Sequence, residues 1–390
     1  MNLRERASKA FRTVFYHGPH EYYDYTLIFV VLFLMCFGLI MVYSTTGYSD
    51  ELTHLDAMYS LKRQAMIAVV SILFMFFVSK LDYHFILKLA PAMGIAVFCI
   101  CVVVLILGKA SNGATRWLGV GGNTIQPSEF AKPVLILVLA RYLTLHFRSK
   151  KRTSIKKEFF YALGAALITV ALMLPVITEN LSTGLIIAGI GFMMTYIASR
   201  YKYTFPVLVV LAVTMIVLMW NSGFLQEHLK EYQVDRVEAW LDPEASTDDT
   251  GYQILQGLYA VGSGGLFGKG LGSSIQKLGF LPEAQNDMIF AIICEELGVF
   301  GAFLVIGLYA FLLFRLMSLT NRAPDMSGSL IIAGVMVHIG LQVVMNIAVV
   351  TNSMPNTGVT LPFISYGGSA LLCLFGEIGL VLSVTNQITD

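Results

Sequence analysis

Long apolar runs recur along this chain, each with the roughly 17–25 residues that a helix needs to cross a bilayer. Inside hydrocarbon the backbone has no solvent partner, so such a run must form a helix that pairs its own polar groups. The runs fall at about 25–45, 65–80, 84–108, 127–146, 158–177, 181–199, 204–220, 287–316, 328–351 and 366–386. They predict an all-α integral membrane protein with about ten transmembrane helices. Composition agrees, at 56% hydrophobic and 13% charged residues, against about 45–50% and about 25% in ordinary globular domains. The run at 65–80 is short. The run at 287–316 is long, and is expected to tilt or to begin outside the hydrocarbon.

Charge then orients the bundle. A formal net charge of +1 argues against a nucleic-acid binder, which would carry a concentrated basic face. The segment 146–157, HFRSKKRTSIKK, carries Arg148, Lys150, Lys151, Arg152, Lys156 and Lys157, and positive loops stay cytoplasmic. Arg4, Arg6, Lys9 and Arg12, then Arg200 and Lys202, then Arg315 and Arg322, fall on the same side by parity; Lys62 and Arg63 fall on the other. Residues 1–24 are therefore expected to be a cytoplasmic segment without a cleavable signal peptide, and 25–390 a polytopic domain with both termini cytoplasmic. Outside lie the loops near 109–126 and 351–365 and a large extracytoplasmic loop, 221–286, between helices 7 and 8. No internal repeat of the transporter kind is visible. Cys36, Cys99, Cys101, Cys294 and Cys373 sit within apolar runs and have neither metal-ligand nor disulfide spacing, so they read as core residues.

The stretch 276–298, QKLGFLPEAQNDMIFAIICEELG, places Asp287 where a Pro-containing loop becomes an apolar run. A carboxylate at such a mouth is either a helix cap, with Asn286, or a functional acid. Burial would raise its pKa, a helix N-terminus would lower it, and Glu283 stands just before it. The preceding Gly-rich loop, VGSGGLFGKGLG at 261–272, is not a Walker A loop: Ser263 stands where that motif needs glycine, and Gly270 where it needs Ser or Thr. Its N–H groups, with Lys269 and Lys277, suit a pyrophosphate, or the loop is a plain flexible surface segment. Arg116-Trp117 suits a membrane interface, and Gln126-Pro127-Ser128-Glu129 opens the fourth span. Glu129 and Lys132 share one helix face, as an ion pair, a lining of a polar cavity, or both. Arg236 is a candidate phosphate contact or a surface ion pair. Gln342 and Asn346, i,i+4, and the segment 361–369 read as architecture. Glu295, Glu296 and Glu377 lie deep in apolar runs and need partners that the sequence does not name.

Taken together, these motifs resemble the SEDS family (shape, elongation, division and sporulation) of bacterial membrane glycosyltransferases. The likeness rests on Arg116-Trp117, Gln126-Pro127-Ser128-Glu129 with Lys132, Gly251-Tyr252-Gln253, the loop 262–272, Leu281-Pro282-Glu283 with Asp287, Glu295-Glu296-Leu297-Gly298, and 361–369. Ser274-Ile275-Gln276-Lys277 and Pro282-Glu283-Ala284 look more like the division branch than the elongation branch. The resemblance implies a ten-helix bundle in the cytoplasmic (inner) membrane, at the division septum, that polymerises lipid II outside, beside a class B penicillin-binding protein. It implies Asp287 as the catalytic base of an inverting transfer. Arg116, Trp117, Gln126, Ser128, Glu129, Lys132, Arg236, Lys269, Lys277 and Glu283 are the implied substrate-binding residues. A divalent cation such as Mg2+ is the one cofactor considered, although no metal-ligand cluster is evident. Two motifs depart from the family: Gln285-Asn286 replace His-Thr before the acid, and Asn180 replaces an Asp after span five, with Glu179 one position earlier. Rival expectations are a flippase for lipid-linked precursor, an elongation-type polymerase, and a scaffold for division partners.

Overall fold

The structure, a computed structural model, describes residues 14, 23–54, 56–107, 109–111, 114–120, 123–147, 155–178, 180–200, 202, 214, 231–244 and 249–388. Of the side chains, those at 54, 107, 109–111, 114–120, 123–125, 155, 231–232 and 249 are not described. Among the described residues, nine helices are long and apolar enough to cross a membrane. In chain order they are α1 (Tyr25–His54), α2 (Tyr59–Ser79), α3 (Tyr83–Leu107), α4 (Pro127–Phe147), α5 (Ile155–Ile177), α6 (Leu181–Ala198), α9 (Ile289–Arg322), α10 (Met326–Val350) and α11 (Gly368–Thr385). Two shorter helices, α7 (Glu231–Leu241) and α8 (Asp249–Ser263), lie in the large connection before α9. The expected span at 204–220 lies outside the described residues apart from Thr214. The bundle is the all-α membrane architecture the apolar runs call for, with one addition. Between α3 and α4, β1 (Lys109–Ser111), β2 (Ala114–Val120) and β3 (Asn123–Ile125) form a small antiparallel sheet in the order β1-β2-β3.

Helix boundaries depart from the apolar runs where polar side chains find local partners. α1 continues nine residues beyond its expected end at 45. Its hydroxyls at Thr45, Thr46, Ser49 and Thr53 donate to carbonyls of the same helix three or four residues back. α2 begins at Tyr59 rather than 65 because Asp50 of α1 accepts from both Ser60 N and Ser60 Oγ at 2.8 Å. The carboxylate thus caps a neighbouring helix. α10 and α11 lie at the centre, with 72% and 78% of their most apolar windows buried against 17% for α3. α10 packs against α4, α6, α9 and α11, and α11 packs against α2.

One end of the bundle is tied by polar contacts between helix termini. Asp24 accepts from Leu27 N and pairs with Arg315 at 2.6 Å. Asp325 caps α10 through Gly328 N at 2.7 Å and accepts from the Tyr83 hydroxyl. Asn386 and Gln387, after α11, reach Ser79 O and Asp82. At the opposite end, Ser44 of α1 donates to Glu296 of α9 at 2.7 Å. From Asp24 to Ser44 the chain of α1 rises about 30 Å at 1.5 Å per residue, the thickness of a hydrocarbon core. Arg315 meets Asp24 at one end of that rise and Glu296 meets Ser44 at the other, so the level of Glu295 and Glu296 matches one boundary of such a core.

At that level α9 breaks. Gly298 has φ +67°, so the helix, about 51 Å if it were straight, divides into two parts. A break orphans backbone groups that water cannot reach. The Gly-rich loop replaces them one for one. Lys269 N and Gly270 N donate to Glu295 O and Glu296 O at 2.9 and 3.0 Å. Val299 N and Phe300 N donate in turn to Gly265 O and Leu266 O. The carboxylates are paired as well: Lys269 Nζ lies 2.7 Å from Glu295, and Lys277 Nζ 2.8 Å from Glu296. Ser274 Oγ also donates to Glu295. Here the long run expected to tilt or to begin outside is instead broken and spliced.

Gly298→Ala places a Cβ 2.6 Å from the Leu266 carbonyl at a φ that L residues avoid. It should lower the melting temperature of the purified protein, whereas Gly307→Ala, with nothing within 4 Å of its Cβ position, should not. Lys277→Ala leaves Glu296 without its counter-ion and should cost about 3–5 kcal/mol. Adding Glu296→Gln should recover most of that loss in the same thermal melts.

Candidate active site

Asp287 lies one residue before the N-cap of α9 and is 6% exposed. The cap residue is Met288, and no side chain caps this helix end. Asn286 instead donates through Nδ2 to Glu283. The structural role a sequence would assign to this pair is therefore absent, while the buried carboxyl remains. Its Oδ1 has no hydrogen-bond partner.

The walls around it are built from distant segments. Asn346 of α10 donates through Nδ2 both to Asp287 O at 2.7 Å and to Val359 O at 2.8 Å. Ser365 Oγ donates to Asn286 O at 2.6 Å, and Tyr366 N donates to Gln285 O at 2.9 Å. The chain after α10 is thus stitched along the three residues that present the acid. Trp240 of α7 donates to Asn352 O, and Ser182 of α6 to Thr357 O. Gln253 of α8 donates to Pro282 O and accepts from Asn356 Nδ2. Gly358 takes φ +65°, which favours glycine, and its Cβ position lies 3.7 Å from Asp287 Oδ2, at van der Waals contact, so this segment lines the acid.

Burial, and secondly the charge of Glu283, push the Asp287 carboxyl up from 3.8 to about 7. Backbone N–H groups at Asp287 and Met288 and the Arg236 cation oppose them more weakly. Such a group exchanges a proton readily near neutral pH, as a general base must. Glu283 itself is exposed and held at φ +54°.

Of the residues singled out in the sequence, Asp287, Glu283 and Arg236 are brought together here. Lys269 and Lys277 engage the two glutamates below. Glu129 and Lys132 form a buried pair at 2.8 Å in α4, with Lys132 only 1% exposed. Cys373 of α11 lies within electrostatic range of both, and of Glu377 on its own helix. Glu377 is held by His338 Nδ1 at 2.8 Å, the partner its sequence position required. Gln126 donates to Ser128 Oγ at 3.0 Å at the start of α4. Arg116 and Trp117 lie on β2, with their side chains outside the described ones, and Glu179 is outside the described residues. Asn180 caps α6 by accepting from Thr183 N, a task an amide performs as well as an acid.

Asn346, Ser365 and Tyr366 read from the sequence as architecture, yet they hold the acid. The i,i+4 pair Gln342–Asn346 was the signal. For the divalent cation, no group of three or more His, Cys, Asp or Glu converges among the described residues.

Residues 25–390 match a family model, spanning FtsW, RodA and SpoVE, described as "Cell cycle protein". The stage V sporulation protein E of Bacillus subtilis (strain 168) is 38% identical over 365 residues, covering 93% of this chain and 96% of that one. A probable peptidoglycan glycosyltransferase FtsW of Geobacter metallireducens is 32% identical, covering 94% and 96%. A structure described as "Structural coordination of polymerization and crosslinking by a peptidoglycan synthase complex" is similar with TM-score 0.76 at 28% identity, covering 94% of this chain and 98% of that chain. The rod shape determining protein RodA of Thermus thermophilus is similar with TM-score 0.66 at 26% identity, covering 94% and 98%. On this match across nearly its whole length, the chain belongs to the FtsW/RodA/SpoVE family of cell cycle proteins.

Proposed function

We propose that this protein is a peptidoglycan glycosyltransferase. It polymerises lipid II into glycan strands at the outer face of the bacterial cytoplasmic membrane, in septal wall synthesis. The observation that carries the reading is the buried Asp287 carboxyl, pushed up to about 7, at the end of α9 opposite Arg315 and Arg322. Arg315 and Arg322 of α9 and Arg200 after α6 lie toward the far end, which the positive-inside rule assigns to the cytoplasm together with both termini. From Glu296 back to its first residue, Ile289, α9 rises about 10 Å, and Asp287 stands two residues before that. That is the height of headgroups rather than acyl chains, where the sugars of a lipid-linked substrate reside.

In the transfer, the acceptor sugar 4-hydroxyl oxygen attacks the donor anomeric carbon from the face opposite the leaving group. The bond from that carbon to undecaprenyl pyrophosphate breaks, and the pyrophosphate leaves with the electron pair. The hydroxyl proton passes to Asp287, and the anomeric configuration inverts. Arg236, within electrostatic range of the acid, is the first candidate to stabilise the pyrophosphate charge. Arg116 is a further cation, and Trp117, Gln126, Ser128, Glu129 and Glu283 the accompanying polar and aromatic contacts, whereas Lys132, Lys269 and Lys277 are each held by a glutamate, Glu129, Glu295 and Glu296. A class B penicillin-binding protein is the proposed partner, supported by the likeness to a synthase complex that coordinates polymerisation and crosslinking.

A flippase reading draws on the buried pairs Glu129–Lys132 and His338–Glu377, since charges inside a membrane can line a transport path. One experiment separates the two. In proteoliposomes with lipid II, Asp287→Asn should reduce polymer formation by about 10²–10⁴-fold while lipid II binding persists. Unchanged polymer rate and length would reject Asp287 as the base. For the wild type, the rate should rise with pH through about 7, because the carboxylate form accepts the proton. Well below that value it should fall about tenfold per pH unit. A fluorescent fusion separates division from elongation: midcell bands are expected, and sidewall patches would favour the elongation-type polymerase.

A further inference from the structure

The exposed side chains of the Gly-rich loop are apolar. Leu266 and Phe267 are 69% and 83% exposed, and Leu271 is exposed beside them. This loop is bonded to residues 295–300 of α9, the level that the rise of α1 from Asp24 to Ser44 matches to the edge of a hydrocarbon core. Phe300 N donates to Leu266 O at 3.1 Å, which sets Leu266 beside Phe300. Phe300 is itself 67% exposed and begins the outward-facing row of α9 that continues at Phe303. The apolar face of the loop is therefore continuous with the face of a membrane-spanning helix.

Two further features suit an acyl environment. Backbone inside a bilayer must be paired, and here the N–H groups of Gly268, Lys269 and Gly270 and the carbonyls of Gly265 and Leu266 all are. The charges of the segment are neutralised inward, Lys269 on Glu295 and Lys277 on Glu296. Just before the loop, α8 exposes Tyr252 and Tyr259, seven residues apart on one face. Tyr is enriched where acyl chains meet headgroups.

We propose that α8 and the loop 264–272 are a lipid-embedded element. Tyr252 and Tyr259 would lie at the headgroup boundary, and Leu266, Phe267 and Leu271 among the acyl chains of the outer leaflet. This lipid contact does not depend on the reaction assigned to Asp287.

Full-length Phe267→Cys, labelled with a bimane thiol probe and reconstituted in phosphatidylcholine vesicles, tests it. The signal of the unsubstituted chain is subtracted, since its Cys36 and Cys99 are exposed. Phosphatidylcholine carrying a nitroxide on its acyl chain should quench the probe as fully as it quenches the same probe on Phe303→Cys in α9. Aqueous iodide should leave both unchanged. Quenching by iodide but not by nitroxide lipid would overturn the proposal in favour of an aqueous loop. Protection from both quenchers would overturn it in favour of a protein neighbour. Leu271→Cys repeats the measurement should Phe267→Cys fail to fold.

Discussion

The structure depends on a reciprocal set of backbone hydrogen bonds at the break in α9. Gly298 interrupts the ladder where water cannot complete it, and the loop supplies two donors and two acceptors to the four orphaned groups. A side chain at this glycine would enter the space of Leu266 and Gly268. Once the loop is fixed there, the chain from Ser273 to Met288 must return to the start of the same helix. That return carries Glu283, Asn286 and Asp287 to the mouth. The two glutamates, which would be prohibitive alone in an apolar run, become anchors because Glu295 meets Lys269 of the loop and Glu296 meets Lys277 of the returning chain.

The acid is positioned from the other side by α10 and the segment that follows it. Asn346 holds two carbonyls from different segments with one amide group, so the start of α9 and the chain near Val359 cannot move apart independently. Ser365 and Tyr366 extend the same attachment to Asn286 and Gln285. Neither Gln285 nor Asn286 supplies a titrating side chain. In the proposed transfer the proton chemistry falls to Asp287, with Glu283 raising its affinity for a proton through charge repulsion.

Much of the architecture was legible because the hydrophobic requirement of a bilayer is strong and repetitive. Nine of the apolar runs became helices, and the largest boundary differences occur where Thr45, Thr46 and Asp50 found local partners. Asp287 stood out for a related reason, being a carboxylate at the edge of an apolar run. The small sheet was not foreseen: two of its strands have three residues, too short for a period-2 pattern, and the seven of β2, ATRWLGV, do not alternate. The Gly-rich loop was legible as a motif but ambiguous in purpose, because its N–H groups could serve a pyrophosphate or a broken helix equally well. Long-range pairs such as Lys277–Glu296 and His338–Glu377 carry no local signal at all. Charge and burial showed that Glu296 and Glu377 needed partners, and only the fold names them.

The central claim is that burial and Glu283 hold the Asp287 carboxyl near neutrality in the resting protein. Infrared difference spectra of the full-length protein in lipid, titrated with pH and compared with Asp287→Asn, read that group directly. A protonated-carboxyl band that belongs to Asp287 and disappears as pH rises through about 7 is the expected result. A carboxylate that stays ionised down to about pH 4, the range of an unperturbed Asp, would contradict the account.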